Sequence, residues 1–179
     1  MKKPIFMFSK DKEYASVDYM VTDPTQRELC YRMIDSIIEI NAQNYLSDAL
    51  LEPFITAMKT NYKYVVDVAG GRLAQLTYHY PEAKQVFFNL IHDSNSKVRF
   101  NILTALIDKP HEDVIPCLLK AALKDKSVKV RSKVADITFR LSRADMIPIL
   151  EDHLKTENNP KVVESIRFTI ENFGRFTYE

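Results

Sequence analysis

With 179 residues, of which 46% are hydrophobic and 11% aromatic, the chain is one domain long and rich enough in apolar side chains to bury a core, which excludes a disordered polypeptide. Its formal net charge of +1 lacks the basic excess of a dedicated nucleic-acid or membrane-surface protein. Two cysteines, Cys30 and Cys117, each set in a helix-like apolar pattern, argue for small buried hydrophobes rather than a disulfide framework or thiolate metal site.

The chain opens with MKKPIFMFSKDKEY. Lys2 and Lys3 precede the apolar run Ile5-Phe6-Met7-Phe8, which is too short for the hydrophobic region of a signal peptide, and no later segment reaches the roughly 20 apolar residues of a membrane span. A cytoplasmic location is expected, and residues 1–22 read as a non-repeat segment carrying Tyr14 and Tyr19. Asp23-Pro24 then starts a long amphipathic helix with Leu29, Met33, Ile34, Ile37 and Ile40 on one face, so 23–45 is expected to cap the rest of the fold.

Glycine occurs three times, and apolar residues recur at three- and four-residue spacing rather than alternating, so the class is all-α. From residue 81 the pattern repeats. Asp93-Ser-Asn-Ser-Lys-Val98-Arg99, Asp125-Lys-Ser-Val-Lys-Val130-Arg131 and Glu157-Asn-Asn-Pro-Lys-Val162-Val163 superpose at 32 residues, from Val98 to Val130 to Val162. Asn95, Ser127 and Asn159 are N-cap residue types at equivalent positions, and Pro160 suits a first helical turn. Each unit is therefore a helix pair: 81–92 with 95–108, 112–124 with 127–142, and 145–155 with 159–173. The units span 81–110, 111–143 and 144–173, with 174–179 as a tail. One period earlier, 46–80 reads as a degenerate unit in which Asp67 replaces the arginine and Gly70 a core aliphatic. There Gly70-Gly71 predicts a kink or a close helix contact, and Tyr62, Tyr64, Tyr78, His79 and Tyr80 flank the unit.

The pattern D-x-x-x-x-V-R-x-x-[IV], with Pro116 and Pro148 in first helices, resembles the HEAT and HEAT-like repeat family over 81–173, faintly over 46–80 and not over 1–22. The last unit departs, with Val163 at the arginine position and Glu157 for aspartate. The resemblance implies a right-handed α-α superhelix, an α-solenoid, of about four helix pairs behind the capping helix. It also implies a structural ladder in which Arg99 and Arg131 bond turn acids between neighbouring repeats, with Asp93 and Asp125 as partners.

Second helices bury Val98, Ile102, Ala105 and Leu106, then Val130, Val134 and Ile137, then Val162, Ile166 and Ile170. Their opposite side is expected to line a concave groove through Asn101, Thr104, Asp108, Lys133, Asp136, Arg140, Phe168 and Asn172. This mix of signs and sizes suits another protein as partner, in a non-enzymatic scaffold, adaptor or inhibitor. Nucleic acid is the less favoured partner: some HEAT-like proteins excise alkylated DNA bases, a role that would fall to Asp136, but the chain has no Trp and its groove is not strongly basic. A HEAT-like di-iron hydroxylase would need several His-Glu pairs, whereas His111-Glu112 is a single one. His79, His92 and His153 add no ligand spacing, and no glycine-rich phosphate loop or nucleophile elbow occurs, so no metal, cofactor or membrane partner is expected.

Overall fold

Ten α-helices and no strand make up the described residues, 6 and 9–175, of the computed structural model. Lys2, Lys3, Ile5, Met7 and Phe8 of the opening run, and 176–179 of the tail, lie outside them. The helices are α1 (Lys10–Met20), α2 (Pro24–Gln43), α3 (Asp48–Met58), α4 (Lys63–Leu76), α5 (Pro81–Leu90), α6 (Ser96–Thr104), α7 (Val114–Leu123), α8 (Val128–Arg140), α9 (Ile147–Leu154) and α10 (Pro160–Asn172). They stack as an α-solenoid: α3–α4, α5–α6, α7–α8 and α9–α10 are hairpins, and α4, α6, α8 and α10 pack side by side. None of the described helices is long and apolar enough to cross a membrane.

Local chemistry sets the helix ends. Asp23 accepts the Gln26 N–H ahead of Pro24, and Asn95 and Asn159 accept the N–H groups of Lys97 and Lys161. Ser127 departs from the expected cap, because its side chain makes no such bond. Instead the turn acids act alike: Asp93, Asp125 and Glu157 each accept the backbone N–H two residues on, from Asn95, Ser127 and Asn159. The expected helix 95–108 ends as α at Thr104 and tightens into a 3-10 turn over Ala105–Asp108.

Burial follows the repeat. Val98, Val130 and Val162 are buried at equivalent positions, as are Ile102, Val134 and Ile166, in one core that runs from Phe6 to Ile166. Cys30 joins that core, whereas Cys117 is exposed, contrary to expectation, on the outer side of α7. The non-repeat segment contains α1, a helix whose weak periodicity hid it: Val17 is its one buried residue among eleven. Tyrosine chemistry docks it, with the Tyr14 and Tyr31 rings stacked at 4.3 Å and Tyr14 Oη donating to Asp35. Tyr62, Tyr64 and Tyr80 likewise pack half-buried on the core, while Tyr19, Tyr45 and Tyr78 are exposed.

Gly70 marks a close helix contact. A Cβ built on it would lie 2.8 Å from Ala105 Cβ, so α4 and the turn after α6 approach closer than any side chain at position 70 permits.

Candidate protein-binding groove

The second helices present two separate groups of side chains. Towards the C-terminus, α8 and α10 bring together Lys133, Asp136, Arg140 and Phe168. Asp136 is the hub: Lys133 Nζ and Arg140 Nε donate to its two oxygens, each at 2.7 Å. Burial works to raise the Asp136 carboxyl, but Lys133 and Arg140 outweigh it and hold it below the usual carboxylate range. Both cations are thus engaged by one acid.

Aromatic rings flank this hub. Phe100 of α6 lies under two ammonium groups, with Lys97 Nζ at 5.5 Å and Lys133 Nζ at 5.6 Å from its centroid. On the other side Phe168, 56% exposed, meets Phe139 at 6.0 Å in a tilted pair. The combination is an apolar platform around a polar centre in which two cations share one acid. Phe139 was absent from the groove expected from the sequence, although it lies one helical turn after Asp136 on the side of α8 away from Val130, Val134 and Ile137, and its contact with Phe168 places it beside the hub.

Asn101 does not belong to the groove. It is 3% exposed, and its Nδ2 donates to the Met58 carbonyl at 2.9 Å, so it closes the end of α3 instead of facing a partner. Thr104 is half-buried and donates to Phe100 O, and Asn172 likewise donates to Phe168 O at 2.8 Å; both satisfy their own helices. Asp108 is exposed but lies far along the row, beside Gly71 of α4.

The turns show how the ladder runs. Arg99 grips the Asp125 carboxylate through Nε and Nη2, and its Nη1 donates to the Asp93 and Ser94 carbonyls. Arg131 repeats this with Glu157 and the Asp125 carbonyl. Each arginine therefore takes the carboxylate of the turn ahead and the carbonyl of its own. Asp93 departs from its expected role: its carboxylate is bonded by no arginine among the described residues, and besides the Asn95 N–H it has Lys59 Nζ at 3.8 Å. The reason is positional, since 26 residues before it, where Arg99 and Arg131 stand relative to their acids, the chain carries Asp67. Glu157 was missed as a partner, although the spacing it shares with Asp125 was there to be read.

Among the described residues no group of three or more His, Cys, Asp or Glu is arranged to hold a metal ion. His111 pairs with Asp113 and His153 with Glu157.

Residues 83–171 match a family model described as HEAT repeats. Among solved structures, the crystal structure of an engineered protein is similar at 16% identity, with 91% of this chain and 81% of that chain covered and a TM-score of 0.40. No curated protein matches the chain.

Proposed function

The chain is a HEAT-repeat protein over residues 83–171, and from that premise we propose that it is a non-enzymatic scaffold that binds another protein on its second-helix face, as an adaptor or an inhibitor. Repeats of this family generally serve as protein-interaction scaffolds. The observation that carries the reading is the Phe139–Phe168 platform beside the Lys133–Asp136–Arg140 hub: a large aromatic ring left mostly in water next to polar groups that already satisfy one another. Such a surface gains from covering its ring and loses little by desolvating charges that are paired in advance. An unpaired basic stripe, the requirement for duplex binding by counterion release, is not what these residues form.

The test is comparative capture. Immobilised protein and its Phe168→Ala variant are exposed to native lysate, and bound proteins are compared. Phe168 lies at the surface, so the variant should melt with the parent yet lose a stoichiometric partner. Equal capture by both would overturn the reading. A gel-retardation series with duplex DNA across salt concentrations addresses the other partner class, and steep salt-dependent retardation would favour nucleic acid instead.

A further inference from the structure

A second feature lies at the opposite end of the second-helix row. The helices α1, α2 and α4 enclose a cleft of about 300 Å³. Its floor is apolar, made by Cys30, Met33, Ile34 and Ile37 of α2 with Val68 of α4, whereas its mouth carries Glu13, Asp67, Asp108 and Arg72. The mouth charges are unequal in commitment. Arg72 is engaged by Glu13 at 3.6 Å and by the Phe6 ring at 5.2 Å. Asp67 has Lys63 at 3.5 Å, a side chain 90% exposed and therefore weakly held. Asp108 has no hydrogen bond or ion pair among the described residues, and its carboxylate rests against Gly71. Burial and the neighbouring Asp67 both push its carboxyl up. Cys30, 1% exposed, lies in the floor with its thiol pushed up by burial to about 11, so it stays neutral and adds no competing charge.

We propose that this cleft receives one lysine or arginine side chain of a partner protein, its methylenes on the α2 floor and its charge between Asp67 and Asp108. The volume is at the small end of ligand pockets and suits one long side chain rather than a cofactor. A cation there supplies the counter-charge that Asp108 lacks and that Asp67 draws only from the exposed Lys63, and a four-carbon stem covers apolar floor while keeping its charge at the mouth. The occupant is a protein side chain because Asp108 closes the turn that directly follows α6, the helix that carries Phe100, so a chain lying over Phe100 has the mouth of the cleft at the end of the same helix. The proposal rests on the scaffold reading and adds the chemistry of the partner's anchor.

Blocked pentapeptides Ac-Ala-Ala-X-Ala-Ala-NH2, with X as lysine, arginine, norleucine or glutamate, test it by titration into isotopically labelled protein while the amide signals of Gly71 and Asp108 are followed. The lysine and arginine peptides should shift both signals saturably at millimolar concentration, and the glutamate peptide should not. Asp108→Asn, a near-isosteric change at an exposed site, should weaken the lysine peptide about three- to fivefold, and Asp67→Asn should do the same. Norleucine binding as tightly as lysine, or unchanged affinity in both variants, would overturn the proposal. So would n-butylammonium binding more tightly than the lysine peptide, since a free amine would then be the occupant. If the peptide titration fails while Phe168-dependent capture persists, the anchor falls and the scaffold stands; the reverse outcome strikes the scaffold reading alone.

Discussion

The Arg99 guanidinium clamps the Asp125 carboxylate of the next repeat, Nη2 to Oδ1 at 2.8 Å, with both side chains 7% exposed. The same guanidinium holds its own turn through the Asp93 and Ser94 carbonyls, so one side chain sets the spacing of two repeats. Its planar fork is needed for this, because no ammonium can donate in two directions with fixed geometry. Arg99→Met should therefore cost about 3 kcal/mol in urea denaturation, much of it from the carboxylate left buried and unpaired. Arg99→Lys should recover little, while Arg99→Met with Asp125→Leu should be more stable than Arg99→Met alone. A double variant no better than the single one would show that the lost guanidinium, not the stranded acid, dominates.

Acid should loosen the ladder. The Arg131 guanidinium holds the Glu157 carboxyl down from an ordinary 4.5 to about 2, against the opposing effect of burial and with help from the Asn159 N–H. Burial alone would raise Asp125, but the bonds from Arg99 and the Ser127 N–H prevail and hold it low as well. A carboxylate lowered by folding stabilises the native state above its unfolded value, and that contribution is lost as pH falls through the native value. Urea midpoints measured from pH 5 down to pH 2 should fall across that window, and Glu157→Gln should flatten the slope while lowering the midpoint at pH 7.

At Gly70 two effects oppose. Alanine gains about 1 kcal/mol of helix propensity in α4, but its Cβ would meet Ala105 Cβ at 2.8 Å, and overpacking costs about 1–3 kcal/mol. Gly70→Ala should be net destabilising by thermal melting. Pairing it with Ala105→Gly, which removes the opposing methyl, should reveal positive coupling between the two sites; strictly additive effects would contradict the close contact.

Asn101 links α6 to the end of α3. With the Asn101–Met58 bond buried, Asn101→Leu should cost about 1–3 kcal/mol by stranding a carbonyl. Partner capture per folded molecule should be unchanged, because the residue faces the interior. Selective loss of capture at full stability would restore Asn101 to the groove.

How much of this could be read in advance differs by residue. The valines at 98, 130 and 162 announced their burial through a 32-residue echo, because a buried aliphatic at each helix start is what a stack of equivalent hairpins demands. Gly70 announced a close approach, though not with Ala105. Asn101 misled, since its wheel angle pointed outward while the end of α3 covers it and supplies an acceptor. Helix α1 was hidden because one buried valine and a tyrosine stack do not make a periodic stripe.

The sequence by itself determined that the chain is helical, how its hairpins repeat and which face of each second helix is apolar, for these follow from spacing along one helix or one period. Only the tertiary structure decided which acid each arginine grips, that Asp93 is left without one, that Phe139 turns to Phe168, and that α1, α2 and α4 close a cleft under Asp108. Those relationships depend on the rotation and rise between stacked hairpins, which arise from how neighbouring side chains fill the space between helices. A repeat period carries the phase of each unit along the chain, and packing sets the angle at which one unit meets the next.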